Sequence, residues 1–140
     1  MRISHKTNYA LSTMLDLARH QNEEATSAAD IARRQGIPHK FLEQILVLLK
    51  TAGLVASRRG QKGGYHLVAR PQDIALSAVI QLTEGNFQTV SAAGSKPSPF
   101  DEVWAEIDNA IAERLNTLTI QDMCTRAEEL EQQGALQYVI

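Results

Sequence analysis

Ile37-Pro38-His39-Lys40-Phe41-Leu42-Glu43-Gln44-Ile45-Leu46-Val47-Leu48-Leu49-Lys50-Thr51-Ala52-Gly53-Leu54-Val55-Ala56-Ser57-Arg58-Arg59-Gly60-Gln61-Lys62-Gly63-Gly64-Tyr65-His66-Leu67-Val68 is the stretch whose reading decides the fold. It opens as a helix. Pro38 suits a first turn, where its missing N–H would go unpaired anyway, and Gly53 supplies a left-handed stop. Wound at 3.6 residues per turn, His39, Lys40, Glu43, Gln44, Val47, Lys50 and Thr51 share one arc. Phe41, Leu42, Ile45, Leu46, Leu48 and Leu49 fill the other. The apolar arc packs against other helices. The polar arc faces out with donors, acceptors and positive charge, the groups that read base edges and hold phosphates. Val47, mid-arc, is either a contact for a thymine methyl or simply a half-exposed helix residue.

After Gly53, Leu54–Ser57 and Tyr65–Val68 read as short strands. The glycines of Arg58-Arg59-Gly60-Gln61-Lys62-Gly63-Gly64 forbid regular structure between them, and Arg58, Arg59 and Lys62 put three cations on that turn. A nucleotide-cradling loop is excluded: no Gly-Lys-Ser/Thr follows and no helix begins after it. What remains is a solvated hairpin tip or a wing on phosphates or in a minor groove. Helix, hairpin and basic tip, in that order, predict a winged helix.

Upstream, Thr7 to His20 reads as a helix capped by Thr7. Ser27, with Asp30 three residues on, caps a second, short helix that Gly36 ends. Short helix, glycine turn and second helix make a helix-turn-helix. Downstream, Ser77 is expected to cap a helix from Ala78 to Glu84, ended by Gly85. Residues 86–99 turn to Asn, Gln, Thr, Ser, Gly, Lys and Pro and read as a linker or mobile loop. Phe100 to Leu118 is an amphipathic helix, acidic on its other face, with Val103, Trp104, Ile107, Ile111, Leu115 and Leu118 in one stripe. Set beyond a linker, it is expected to be a dimerisation helix. Thr119 caps a last helix to about Leu130. The expectation is a mainly α chain with a small β-hairpin: a winged helix-turn-helix over 1–85, a linker over 86–99, and a dimerisation helix with a C-terminal helix and tail over 100–140.

Charge supports this division. The net charge of the 140 residues is −2, yet residues 1–70 hold eleven Lys/Arg against five Asp/Glu, net +6, and residues 71–140 hold three against eleven, net −8. A basic half beside an acidic half fits a polyanion-binding head on a different kind of tail. The single cysteine, Cys124, allows no disulfide within the chain and points to a reducing setting. No apolar run is long enough to cross a membrane, and the first residues lack a signal-peptide core; a cytoplasmic protein is expected. No His pair has metal-ligand spacing on one face and no nucleophile motif stands out, so an enzyme is not expected.

These residues resemble the Rrf2 family of bacterial winged-helix transcription regulators. The likeness is carried by Thr7-Asn8-Tyr9-Ala10-Leu11, Ile31-Ala32, Phe41-Leu42-Glu43-Gln44-Ile45-Leu46, Ala52-Gly53-Leu54-Val55, Ile80-Gln81-Leu82-Thr83-Glu84-Gly85 and, most specifically, the wing Arg59-Gly60-Gln61-Lys62-Gly63-Gly64-Tyr65-His66-Leu67. The resemblance implies a homodimer on a palindromic operator in double-stranded DNA, with the helix in the major groove, the wing arginine in the minor groove and the long helix forming the dimer. It points to Lys40, Glu43, Gln44 and Arg59 as contacts, with Arg2, Ser4, Lys6, Ser27, His39, Val47, Arg58, Gly60 and Lys62 around them. Glu43 either accepts from a cytosine amino group or pairs with His39 or Lys50 on the helix surface.

Many members of the family hold an iron–sulfur cluster through three cysteines in the region matching 88–101. Here that region has no Cys and no His, and such a cluster needs thiolate or imidazole ligands. No cofactor is therefore expected. Cys124 reads as a buried structural residue rather than a redox sensor. Trp104-Ala105-Glu106-Ile107, Leu118-Thr119-Ile120-Gln121-Asp122-Met123 and the ending Gln137-Tyr138-Val139-Ile140 resemble the cluster-free branch that represses cysteine-metabolism genes. That resemblance implies a partner, cysteine synthase, with Tyr138 and the Ile140 carboxylate as anchor. The alternatives are a regulator that senses redox state or a small molecule elsewhere, and an adaptor that no longer binds DNA.

Overall fold

In the computed structural model, residues 2–85 and 96–139 are described, the last five as backbone alone. The order is α1 (His5–Arg19), α2 (Ala28–Gln35), α3 (His39–Thr51), β1 (Val55–Arg58), β2 (Gly64–Leu67), a 3₁₀ turn (Pro71–Asp73), α4 (Leu76–Glu84), α5 (Pro99–Thr117) and α6 (Ile120–Val139). This is a winged helix-turn-helix followed by two long helices.

Local chemistry sets most boundaries. α1 begins earlier than expected because Ser4, not Thr7, is its cap: the Ser4 hydroxyl accepts from the Thr7 N–H at 3.2 Å, and Thr7 is fully buried within the first turn. Ser27 does cap α2, accepting from the Asp30 N–H at 3.1 Å. Gly36 turns the chain at φ 64°, ψ 35°, a left-handed conformation costly for other residues. α4 starts two residues before the expected Ala78, and Ser77 is not its cap. Its entry is fixed instead by pairing across the fold, Leu76 N–H to Leu118 C=O and Ile120 N–H to Ile74 C=O, both 2.9 Å. Ser98 and Asp101 form a capping box with Pro99 as the first helical residue of α5, so the end of the expected linker is helix start. Thr119 caps α6 reciprocally with Asp122, and α6 runs well past Leu130 to Val139.

The hairpin is antiparallel, in register Val55↔Leu67 to Arg58↔Gly64, one residue later at β1 and earlier at β2 than the sequence suggests. Thr26 adds a short third edge: its N–H donates to Tyr65 C=O at 2.9 Å and its C=O accepts from Tyr65 N–H at 2.7 Å. Gly64 sits at that crossing with φ 154°, and a Cβ there would overlap the Thr26 carbonyl. The wing is thus tied to the entry of α2.

One core joins Ala10, Met14 and Leu17 of α1, Ile31 of α2, Leu42, Ile45, Leu46 and Leu49 of α3, Val55 of β1, Val79 and Ile80 of α4, and Ile120 and Cys124 of α6. α6 therefore returns to the head and completes its core. Phe41, expected among the packing residues of α3, is 54% exposed. It lies at the border of the apolar arc, where no second layer covers it. Beneath the surface Asp16, 1% exposed, takes two hydrogen bonds from the Arg34 guanidinium (Nε and Nη2, 2.9 Å each) and one from Gln35 at 3.0 Å, clamping α1 to α2.

Candidate nucleic-acid interface

The outer face of α3 carries His39, Lys40, Glu43, Gln44, Val47 and Lys50, all exposed. Val47, 65% exposed, has no packing role that would explain an apolar side chain there. Glu43 pairs with His39 at 3.1 Å. Both partners are well exposed, so the pairing is weak and easily exchanged. Lys50 Nζ donates to Ser57 Oγ at 2.8 Å, tying the end of α3 to the wing.

The wing places Arg58 at the end of β1, then Arg59, Gly60 and Lys62 in the loop. Arg58, Arg59 and Lys40 are exposed and, among the described residues, stand in no ion pair; Lys62 reaches only the exposed Glu24, at 3.5 Å. Four other arginines are matched: Arg19 with Glu131 (2.6 Å), Arg33 with Asp30 (3.2 Å), Arg34 with Asp16 (2.9 Å) and Arg70 with Asp73 (2.9 Å). The unpaired charge of the basic half thus lies on α3, the wing and the start of α1, where Arg2 and Lys6 are exposed. Arg33 and Ser27 also hold the Asp30 carboxyl below its ordinary range.

On the other flank of α3 lies the start of α1. His5, Lys6, Tyr9, Phe41, Gln44 and Ile45 line a cavity of about 310 Å³. Its aromatic wall is Tyr9 between His5 and Phe41, with ring centres 6.1 and 6.3 Å away. Lys6 and Gln44, both expected at the interface from sequence, thus share one cleft. His5, Tyr9, Phe41 and Ile45 are the lining residues that sequence reasoning misses; helical angle alone assigns Phe41 and Ile45 to the packing side. Arg2 is exposed nearby in sequence. Ser4 and Ser27 are engaged as helix caps, so their hydroxyls are occupied within the fold.

Glu84, at the end of α4, reaches this same turn of α1. Its Oε1 accepts from the Ser4 N–H at 2.9 Å and from Thr7 Oγ1 at 2.6 Å. Hydrogen bonds from Ser4 and Thr7 hold its carboxyl down at about 2, from 4.5. A depressed folded-state value means that the stability it contributes is complete above pH 4.5 and is lost as pH falls toward 2.

The expected dimer stripe divides in two. Val103, Trp104 and Ile107 are 44%, 39% and 38% exposed, beside Phe100 at 65%, whereas Leu115 and Leu118 pack on the core of their own chain; Ile111 is half-buried. Cys124 is buried, and burial raises its thiol pKa, which leaves little reactive thiolate. The Tyr138 side chain and Ile140 lie outside the described residues, as do residues 86–95. No helix among the described residues is long and apolar enough to cross a membrane.

Comparison with known proteins accords with this geometry. The Rrf2 family model, described as an iron-dependent transcriptional regulator, matches residues 3–126. The chain is 33% identical over 139 residues to the HTH-type transcriptional regulator CymR of Bacillus subtilis, spanning 99% of this chain and 100% of that one. It is 34% identical over 137 residues to the HTH-type transcriptional regulator IscR of Vibrio parahaemolyticus, spanning 94% and 82%. The solved structure of CymR, the global cysteine regulator of B. subtilis, matches with a TM-score of 0.84 at 33% identity, covering 90% of this chain and 98% of that one. The iron of the family description meets an unsuitable donor set here. The chain's one thiol is the buried Cys124, residues 88–101 offer no Cys or His, and among the described residues no three His, Cys, Asp or Glu converge as ligands. The residues do not fit a cysteine-held cluster. In sequence and in fold alike, the chain belongs to the Rrf2 family of transcriptional regulators.

Proposed function

We propose that this chain is a sequence-specific DNA-binding transcription regulator, a repressor acting as a homodimer on a palindromic operator without an iron–sulfur cluster, and that it controls genes of cysteine or sulfur metabolism. The observation that carries the reading is the unmatched charge of Arg58, Arg59 and Lys40 beside the exposed polar face of α3. α3 supplies base readout through Lys40, Glu43, Gln44 and Val47, the wing enters the adjacent minor groove through Arg59, and Arg2 and Lys6 meet phosphates. The sulfur assignment rests on likeness to a relative described as a global cysteine regulator.

Genome-wide mapping of bound sites, followed by titration of the recovered DNA at several salt concentrations, tests this. A shared palindrome and a steep fall in affinity with salt are expected; salt-insensitive or absent binding overturns the reading. Dimerisation is assigned to the uncovered face of α5. Replacing Trp104 and Ile107 together with Glu is expected to give a folded monomer by sedimentation, and a dimer that survives both changes removes α5 from the interface. Cysteine synthase is the partner to test, with Tyr138 and Ile140 as contacts; complex formation unchanged by loss of Ile140 excludes that anchor.

A further inference from the structure

The first turn of α1 lacks a component that helix starts of its type normally carry. With Ser4 as cap, a reciprocal capping box needs a carboxylate or amide side chain three residues on, to accept the cap residue's own N–H. That position is Thr7, and the first turn of α1 contains no acid. The missing acceptor comes from a distant part of the chain: Glu84, eighty residues away, takes the Ser4 N–H at 2.9 Å and the Thr7 hydroxyl at 2.6 Å. Thr83 stands at the same point, its hydroxyl 2.6 Å from that of Thr7 and 3.2 Å from Ile80 C=O, its one proton available to either oxygen. Residues 2–6 are all exposed, so these contacts add to the Ser4 cap and the His5–Tyr9 ring contact in ordering a turn prone to fraying.

A carboxylate is an odd choice at this place. Arg2 and Lys6 flank the turn, and the proposed function has them meeting phosphates. A negative group there weakens the attraction, and the Lys6 charge already acts on Glu84. A surface built for attraction alone would omit it.

We infer that Glu84 is a positioning residue for DNA binding, completing the cap of α1 from the end of α4 and so holding Arg2 and Lys6 at the phosphate backbone. This inference rests on the DNA-binding reading above. Electrostatics and positioning predict opposite signs for its removal. If charge alone mattered, Glu84→Ala would bind DNA more tightly. Because position matters, Glu84→Ala is expected to bind about tenfold more weakly, with a salt slope shallower by about one for each phosphate that is no longer neutralised. Glu84→Gln keeps the accepting oxygen without the charge and is expected to stay within about twofold of the wild type.

The experiment is a salt titration of the full chain and its variants on one mapped operator. Lys6→Ala is added alone and on the Glu84→Ala background, where it is expected to cause little further loss. Equal or tighter binding by Glu84→Ala overturns the inference, and so do fully additive losses with Lys6→Ala. If Glu84→Ala does not fold, Thr83→Val carries the test through the same slope, an unchanged slope counting against the inference. A wild-type chain that binds no operator at all instead overturns the function on which the inference rests.

Discussion

Arg59→Glu is expected to lower operator affinity about 100-fold, with a shallower dependence on salt. A single arginine contact to a base or groove is worth roughly 1–3 kcal/mol, and reversal adds repulsion from the phosphates to its loss. Arg59 is suited to such an effect because it stands in no ion pair among the described residues. Its cost of leaving the free protein is small, and most of its attraction remains available to DNA. The same reversal at Arg33, already paired with Asp30 at 3.2 Å, is expected to change affinity far less. Titration of both variants by fluorescence anisotropy decides the matter. Affinity within twofold of the wild type for Arg59→Glu would leave the wing without a role on DNA and favour an adaptor that uses the fold for another purpose.

A second variant is expected to act on the fold rather than on recognition. Arg34→Ala leaves the buried Asp16 carboxylate with Gln35 as its near donor, the His20 ring standing at 4.0 Å. Breaking a buried pair from one side costs about 3–5 kcal/mol, because the remaining charge stays out of water. The Arg34 side chain is 26% exposed, so solvent recovers part of that loss and the lower end, about 3 kcal/mol, is expected. For a chain of this size that corresponds to a fall of roughly 10 °C in melting temperature. Urea denaturation and a thermal melt measure it. A loss under about 1 kcal/mol would show that water or a shifted side chain replaces the guanidinium. DNA affinity of the folded fraction should hold, since neither residue lies on the outer face of α3.

The two variants differ in how visible their sites are from sequence. The wing is legible because its signal is compositional: three cations among glycines between two short apolar runs have few other uses. The face of α3 is legible from helical period alone, with Phe41 as the exception. Period assigns an angle but not the thickness of the layer that covers it, and Phe41 stays 54% exposed beside the Tyr9 ring. Asp16 gives no local sign of burial because its partners lie eighteen and nineteen residues away, beyond any local pattern. Glu84 is hidden for the same reason, its partners lying about eighty residues earlier. The starts of α1 and α4 differ from expectation because a nearer serine in one case and backbone pairing with Leu118 and Ile120 in the other outcompete the expected caps. Helix ends defined by their own side chains, as at Ser27, Gly36 and Thr119, fall where local chemistry puts them.

The return of α6 has a consequence for how this protein is inherited. Ile120 and Cys124 fill the same interior as Met14 and Leu17, and the strand-like pairing of Ala75 with Thr119 stitches the middle of the chain to its last third. The winged helix-turn-helix and the two helices behind it are therefore not separable cassettes. Recombination that swapped one for another family member's at the 86–99 segment would mismatch an interior surface. The two parts have to change together, residue against residue.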